Sequence, residues 1–221
     1  MDIVEAIRDR KTIRRFSSRA VEDRLVDEIL EAGRRAPSAS NSQPWRFVVV
    51  RDETRKAALA EAAGGQKSVS TAQVVIVVCG EPSAVKPAAW MKRWAEFRQA
   101  GMEEELTATG VVEAVNRITP ARQKESERLG KDHVMAVSLA SNVAIAVSFM
   151  TLRAHELGLG SCWIGAFLKN DVRKIVRVPD FVEVMWMLAI GYPDITPVKR
   201  PRKSIAELVH YETWETEQCG H

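Results

Sequence analysis

Apolar residues recur along this chain in two patterns, one typical of helices and one typical of buried strands. Spacings of three and four predict a short first helix, which Asp2 and Glu5 cap reciprocally, and a second helix over 22–35 that ends before Pro37. A stretch dense in aromatic and β-branched residues predicts a strand over 45–50, an apolar run predicts a fully buried strand over 74–79, and another buried strand is predicted over 182–190. Further helices are predicted over 53–63, 134–157 and 204–209, with one from its cap Asn170 to 176 and a short turn or strand over 161–167.

The order of these elements favours the α+β class. The first 35 residues are predicted to be helical before any strand appears, and no regular βαβ alternation follows. The length suits a single domain over 1–221. Within it, 86–131 differs in character, because Trp90, Trp94 and Phe97 stand among charged residues. Two or three amphipathic helices forming a mobile lid fit this segment, and an ordinary pair of peripheral helices fits it equally well.

The stretch 134–152 contains no formally charged residue, although it is nearly long enough to cross a membrane. Its serines, Asn142 and Thr151, and the absence of flanking aromatic belts, favour a helix buried in a soluble protein instead. A helix that is apolar on all sides must be covered on all sides. The sequence therefore predicts that a second subunit covers this helix.

Composition and charge exclude several classes of function. The net charge is only +3, and acidic and basic residues are interleaved, as over 122–128, so no nucleic-acid-binding face is predicted. Cys79, Cys162 and Cys219 form no CxxC pair and the four histidines, His155 among them, are scattered, so neither a metal site nor a disulfide framework is predicted. The charged N-terminus has no apolar core of a signal peptide. We expect a cytoplasmic protein with reduced thiols and no membrane association.

Two basic clusters suit an anionic ligand. Arg10, Lys11, Thr12 and Arg14 combine guanidinium forks, an ammonium and a hydroxyl just after the first helix, as a phosphate site requires. A solvated basic turn is the commoner origin of such a run. The second cluster, over 199–203, lies at the other end of the chain, and the two could converge on one phosphate.

Two further segments suit a planar polar ligand. The loop over 36–45 is stiffened by Pro37 and Pro44, and its Ser, Asn and Gln side chains could bind the polar edge of a ring. A plain connecting loop explains the prolines but explains Asn41 less well. In 161–167, Gly165 permits close approach of the backbone to a planar ligand.

These four segments in this order, with Asn41-x-Gln43-Pro44-Trp45 and Trp163-Ile164-Gly165, resemble the FMN-dependent nitroreductase family over essentially the whole chain. The resemblance implies a nitroreductase-like α+β fold, with a central mixed sheet flanked by helices. It also implies a homodimer, with FMN at the subunit interface and the helix over 134–152 buried there. The implied activity passes hydride from NADH or NADPH through FMN to a small acceptor of aromatic or quinone type, such as a nitroaromatic.

The resemblance also assigns cofactor-binding roles, whereas the chemistry belongs to the flavin and requires no catalytic side chain. On the phosphate and ribityl side it implies Arg10, Lys11 and Thr12, with Arg200 and Arg202 as a second phosphate clamp. Around the ring it implies Arg14 near N1 and O2, Gln66 at the pyrimidine edge, the backbone of Ile164 and Gly165 near N5, and Pro37, Ser38, Ala39 and Asn41 from the other subunit. An acidic residue seen in some members is missing, and Gly165-Ala166 stands in its place.

Other functions remain open from the sequence. The same fold supports flavin fragmentation and reductive dehalogenation. A flavin-binding protein without enzymatic activity would carry the same segments. From a different class, a basic interaction module without a cofactor would account for the two basic clusters.

Overall fold

The computed structural model describes residues 2–195, 197–198 and 200–214, apart from the side chains of seven residues between 87 and 112. The helices are α1 (Ile3–Asp9), α2 (Asp23–Arg34), α3 (Glu53–Ala62), α4 (Lys67–Ser70), α5 (Pro87–Gln99), α6 (Glu103–Ala108), α7 (Val111–Leu129), α8 (Lys131–Glu156), α9 (Lys169–Val176) and α10 (Ile205–Leu208). The strands are β1 (Trp45–Val50), β2 (Val74–Gly80), β3 (Gly160–Ile164) and β4 (Glu183–Gly191), and 3₁₀ turns cover Ala39–Asn41 and Pro82–Val85.

The four strands form one sheet in the order β1-β2-β4-β3, so β1 and β3 are its edges. All three strand pairings are antiparallel. The sheet differs in this respect from the mixed sheet that the family resemblance implies. Among the described residues, a parallel pairing is present as an isolated bridge between Thr12 and Ser161, outside the four strands.

Both faces of the sheet are covered by helices, which explains the uninterrupted apolar run of β2. Its side chains alternate between the two faces, as the strand period requires. Val75 and Val77 pack into a cluster with residues of α3, α4 and α9. Val74 and Ile76 pack into a second cluster with residues of α2 and α8. The result is a sheet between two helical layers, in keeping with the α+β class.

The long helix α8 is buried on one side and open on the other. Among the described residues it is the helix long and apolar enough to cross a membrane, a property that core helices of soluble proteins share. Its face with Leu139, Val143 and Met150 is buried in the second cluster. On the opposite side, Ile145 is 38% exposed and Phe149 is 41% exposed. One chain therefore does not bury this helix on all sides.

The apolar surface continues from α8 onto the first helix. Ile3, Val4 and Ile7 of α1 are each more than half exposed, although α1 carries the predicted capping box between Asp2 and Glu5. Phe149 and Leu152 line one shallow cavity together with Ile3. Exposed apolar residues contiguous over two helices are typical of an interaction surface.

Most predicted elements are present with ends shifted by one to three residues, and one predicted cap is wrong. Asn170 does not cap α9, whose N-cap is Leu168. The N–H of Leu168 donates to the carbonyl oxygen of Ala62 at 2.9 Å, so the end of α3 fixes where α9 begins. In the segment over 86–131 the structure has three helices, α5, α6 and α7. Trp94 packs edge-on against Phe97 there, and the side chain of Trp90 lies outside the described residues.

Candidate functional site

The segment over 10–16 is held against the edge of the sheet by its backbone and by two buried side chains. The N–H of Ile13 donates to the carbonyl oxygen of Ser161 at 3.0 Å, and Ile13 and Phe16 are buried. A Cβ atom at position 160 would lie 2.5 Å from Cγ1 of Ile13. Gly160 therefore allows the segment to approach β3, and the basic residues between the buried ones are directed away from the core.

Four residues of this segment line one cavity, Lys11 among them. Arg10, Thr12 and Arg14 face a cavity of 530 Å³ that Arg200 and Arg202 also line. The ammonium of Lys11 donates to the carbonyl oxygen of Pro197 at 3.2 Å and so ties the two ends of the chain together. The two basic clusters, far apart in sequence, thus lie around one space.

This basic cavity has a large excess of positive charge. Of the residues that the structure describes, six cationic side chains line it against one carboxylate, Asp9, which is paired with Arg8 at 2.7 Å. Arg10, Arg14 and Arg202 form no ion pair with the residues that the structure describes. Burial, and then the neighbouring charge of Arg202, lower the pKa of Arg10. A half-buried guanidinium without a counter-ion is costly, so the cavity is suited to an anion with several acceptor oxygens.

A second cavity, of 450 Å³, adjoins the basic one along Arg10, Thr12 and Arg14. Its opposite wall is formed by Leu152 and Thr151 of α8 and by Trp163 of β3. The indole N–H of Trp163 donates to Oγ1 of Thr151 at 2.8 Å, which fixes the ring. The two cavities together make an elongated site, basic at one end and largely apolar at the other.

Three predicted ring contacts lie together at the end of β3. The side-chain amide of Gln66 donates to the carbonyl oxygens of Ala63 at 3.1 Å and Ala166 at 2.9 Å, which leaves its Oε1 for a ligand. Ile164 is the last residue of β3, is buried, and pairs with Met187 of β4. At Gly165 a Cβ atom would meet nothing closer than Cδ1 of Trp186 at 3.8 Å.

The remaining predicted residues, over 37–43, lie at the other end of the molecule in a strained turn. Ser40, Asn41 and Gln43 have φ angles of 50°, 52° and 41°, which non-glycine residues seldom adopt. Two side chains hold the turn: Asn142 Oδ1 accepts the N–H of Ala39 at 2.7 Å, and Ser38 Oγ accepts the N–H of Gln43 at 3.0 Å.

A single chain does not bring the two groups of predicted residues together. They lie at opposite edges of the sheet, and the cavity that Asn41 lines shares no residue with those that Arg10 lines. The turn is bonded to α8 through Asn142, and Thr151, nine residues or about 13 Å farther along the same helix, lines the cavity beside Arg10 and Arg14. The exposed side of α8 runs between them.

The family model described as the nitroreductase family matches residues 7–192. The chain belongs to the nitroreductase family.

Similar proteins extend over nearly the whole chain. An NADH dehydrogenase of Thermus thermophilus is 33% identical over 193 residues, which cover 87% of each chain. An FMN reductase [NAD(P)H] of Bacillus subtilis is 27% identical over 215 residues, 96% of this chain and 74% of that protein. A nitroreductase of Exiguobacterium sibiricum, solved in complex with FMN, has a TM-score of 0.75 at 24% identity, covering 96% of this chain and 98% of that one. This likeness confirms the nitroreductase-like fold.

Several residues that line the site of this nitroreductase-family chain were not among the predicted site residues. Ser148 and Thr151 line the apolar cavity, and in the sequence they appear only as polar interruptions of an apolar helix. Ser161 and Trp163 also line it, within a motif from which only Ile164 and Gly165 were assigned. A signal was present, because two small polar residues one helical turn apart in an uncharged helix indicate a shared face.

His155 also lies beside the basic segment. It lines a cavity of 330 Å³ with Arg10 and Lys11, and its Nε2 is buried without a hydrogen-bond partner among the described residues. Burial, and then the charge of Arg10, lower the pKa of His155. The neutral ring is therefore the favoured form.

The described thiols are unsuited to nucleophilic chemistry. Burial raises the pKa of Cys79 to about 11 and also raises the pKa of Cys162. Cys162 is therefore a protonated core residue, as the sequence predicted, and Cys219 lies outside the described residues. Within the described ranges, no group of three or more His, Cys, Asp or Glu residues is arranged to hold a metal ion.

Proposed function

We propose that this protein is an FMN-dependent oxidoreductase that passes hydride from NADH or NADPH through bound flavin to a small acceptor. The acceptor is of aromatic or quinone type, such as a nitroaromatic. The observation that carries the proposal is the cavity lined by six cations and a single, already paired, carboxylate. We further propose that the reaction takes place in the cytoplasm, with the thiols reduced.

The basic cavity fits the phosphate of FMN. Arg10, Arg200 and Arg202 offer planar forks of N–H donors, and Lys11 and Thr12 add an ammonium and a hydroxyl. These are the groups that we assign to the phosphate and the ribityl chain. The half-buried Arg10, with no carboxylate partner among the described residues, supports this assignment because a dianionic phosphate would supply the missing counter-charge.

The apolar cavity next to it fits the ring end of the same cofactor. Arg14 lies at the boundary of the two cavities and is assigned to the N1 and O2 edge. Gln66 is assigned to the pyrimidine edge through its free Oε1, and the backbone of Ile164 and Gly165 to the region of N5.

A second copy of the chain completes the site in this proposal. The residues assigned to the other side of the ring are Pro37, Ser38, Ala39 and Asn41, which lie too far from Arg14 to reach the same ligand within one chain. The exposed apolar side of α8 and α1, which runs between the two groups, supports a homodimer paired across this surface.

Bound FMN supplies the redox chemistry, accepting hydride from the nicotinamide and returning electrons to the second substrate in a ping-pong sequence. The chain binds the flavin and sets its reduction potential. The charge of Arg14 favours the negative charge that the ring gains on reduction, and so raises the reduction potential. Trp163, fixed by Thr151, excludes water from the ring end. The helices over 86–131, with Trp94 and Phe97, are proposed to cover the acceptor as a variable lid of the single domain 1–221.

The absorbance spectrum of the purified protein is the first test. We expect the two bands of oxidised flavin, anaerobic bleaching by NADH or NADPH, and recovery of the bands on adding a nitroaromatic or a quinone. Turnover only with a halogenated phenol would favour reductive dehalogenation, and consumption of the flavin itself would favour flavin fragmentation. A coloured protein that neither nicotinamide bleaches would be a flavin-binding protein without this activity. A protein that gains no absorbance with added FMN would be a basic interaction module.

The role of Arg14 has its own test. The Arg14→Ala variant is expected to lower the midpoint potential of the bound flavin, because a positive charge beside the reduced ring is lost. Arg15→Ala is the matched control, since Arg15 is the next residue but is paired with Asp194 at 2.7 Å and lines neither cavity. Equal potentials for the Arg14 variant and the unmodified protein would show that Arg14 has been assigned to the wrong atoms.

A further inference from the structure

A separate cavity of 560 Å³ lies beside the strained turn and shares no lining residue with the basic cavity. Three elements enclose it: the segment from Asn41 to Arg46, the segment after β2 that includes Glu81, and the face of α5 that carries Lys92 and Arg93. The cofactor roles assigned above account for Asn41 in this cavity and for no other residue that lines it.

The charges in this cavity do not cancel. Arg46 pairs with Glu81 at 2.6 Å, and Glu81 also accepts a hydrogen bond from the hydroxyl of Ser83 at 2.5 Å. The charges of Arg46 and Glu81 therefore neutralise each other. The remaining charged groups are Lys92, Arg93 and the exposed Glu96, and neither of the two cations lies within ion-pair distance of a carboxylate among the described residues.

Arg93 is fixed in place with donor capacity to spare. Its Nη1 donates to the carbonyl oxygen of Ala84 at 2.8 Å, which anchors the guanidinium to the segment after β2. Its Nε is buried and has no hydrogen-bond partner among the described residues. A buried donor of a cationic group without an acceptor is destabilising unless a ligand supplies one.

Ser42 adds a second donor that lacks a partner. Its side chain is 8% exposed, it lines the same cavity, and its Oγ has no hydrogen-bond partner among the described residues. A hydroxyl and a guanidinium Nε that both lack acceptors among the described residues, with an ammonium nearby, match a ligand group that carries several anionic oxygens.

We propose that Arg93, Lys92 and Ser42 form a subsite for an anionic oxygen group, a carboxylate or a phosphate, on the compound that reacts at the flavin. The inference rests on the proposed function, since Asn41, assigned to the ring of the partner subunit, lines the same cavity. A compound stacked on that ring has its far end beside Arg93. The anionic group belongs either to the acceptor, as an aromatic acid, or to the donor, as the additional phosphate that distinguishes NADPH from NADH.

Steady-state kinetics of the FMN-loaded enzyme test the subsite. The variants are Arg93→Gln, which removes the charge, and Arg93→Lys, which keeps it. Arg98→Gln is the matched control, because Arg98 is on the same helix, pairs with Glu103 at 3.4 Å and does not line the cavity. The paired acceptors are 4-nitrobenzoate and the neutral nitrobenzene, and the paired donors are NADPH and NADH.

We expect Arg93→Gln to raise KM for one anionic member of a pair about tenfold relative to its less charged counterpart, with kcat nearly unchanged. A shift for 4-nitrobenzoate alone identifies an acidic acceptor, and a shift for NADPH alone identifies the donor phosphate. Arg93→Lys should recover part of the loss. Lys92→Gln, at an exposed position, should give a smaller shift of the same sign, and it serves if Arg93→Gln fails to fold.

Equal changes for both members of each pair, or the same change in Arg98→Gln, would overturn the subsite. The spectrum separates this outcome from failure of the proposed function. Suppose that the protein binds FMN and is bleached by NADH, but Arg93→Gln changes KM equally for the two members of each pair. That result refutes the subsite alone. A protein that is never bleached refutes the proposed function and the subsite with it.

Discussion

Two parts of α8 lie beside the two halves of the candidate site, which are held by different means. Near Thr151, the segment over 10–16 is held by a backbone bridge and buried side chains, and its Arg10 and Arg14 have no carboxylate partners among the described residues. Near Asn142, the turn over 38–43 is uncharged, and two side-chain hydrogen bonds hold it in a strained conformation. The first half is suited to binding an anion through its charge. The second half is suited to contacting a ligand through its fixed shape.

This difference bears on the homodimer proposed above. Charge acts over several ångströms and tolerates imprecise placement, whereas a turn that contacts a planar ring must be positioned closely. Within one chain the two halves lie at opposite edges of the sheet and line separate cavities. In the proposed homodimer, a second copy paired through the exposed side of α8 would supply the missing half to each.

The largest expected effect comes from breaking that pairing. Phe149→Glu places a charge on the exposed apolar side of α8, where Phe149 is 41% exposed in one chain. We expect a monomer by light scattering and a Kd for FMN that rises at least about 100-fold, because burial of an unpaired charge disfavours the interface. The control is Ile118→Glu on α7, where an apolar residue is 48% exposed. A dimer that persists with full FMN affinity would place the interface elsewhere.

The next effect concerns how the basic segment over 10–16 packs against β3. Gly160→Ala would bring a Cβ atom to 2.5 Å from Cγ1 of Ile13, so we expect the free energy of unfolding to fall by about 2–3 kcal/mol. Urea denaturation measures it. Gly165→Ala is the matched control, because the nearest atom would lie at 3.8 Å and stability should change by less than about 0.5 kcal/mol. In that control we expect FMN affinity to fall, and unchanged affinity would remove Gly165 from the site.

The charged half itself can be tested with two ligands. Arg202→Ala should raise the Kd of FMN about tenfold or more, because a charge-assisted hydrogen bond to phosphate is lost. The Kd of riboflavin, which lacks the phosphate, should not change. Lys203→Ala is the control, since Lys203 is exposed and does not line the cavity. An equal loss for FMN and riboflavin would contradict the phosphate assignment.

The uncharged turn over 38–43 depends on the buried side-chain amide of Asn142. Asn142→Ala removes the acceptor of the Ala39 N–H, and we expect a loss of about 1–2 kcal/mol in the free energy of unfolding with weaker FMN binding. Ser141→Ala is a matched control on the adjacent residue, whose exposed hydroxyl bonds only within α8. Loss of stability without any change in FMN affinity would mean that the turn does not contact the ring.

The smallest effect is on the pH dependence of stability. Burial and Arg10 lower the pKa of His155 in the folded protein, so at acid pH the unfolded chain binds more protons at this residue. Stability should therefore be complete above the ordinary histidine pKa and decline as the pH falls through it. His155→Gln should flatten this decline by less than about 1 kcal/mol, since the ring is partly exposed. An unchanged profile would exclude His155 as its source.

The sequence by itself determined the elements and the class of chemistry. A continuous apolar run identified β2, because a strand covered on both faces has no polar side. The aromatic and β-branched residues of β1 and the mainly apolar composition of β4 identified those two strands. The capping boxes at Asp2 and Ser204 are local hydrogen bonds between residues three apart, which a sequence can encode without tertiary context. Asn170 was wrongly predicted as a cap for the opposite reason. The contact that sets the start of α9 comes from α3, which is distant in the sequence.

Only the tertiary structure decided which residues share a space. Lys11 meets Pro197 across 186 positions of the chain, and Ser148 and Thr151 face Trp163 because α8 packs beside β3. Sequence patterns report the periodicity of each element, whereas convergence depends on how elements pack. The uncovered side of α8 is the clearest case. Its lack of charge is visible in the sequence, but which residues stay exposed is decided by packing against the sheet and α2.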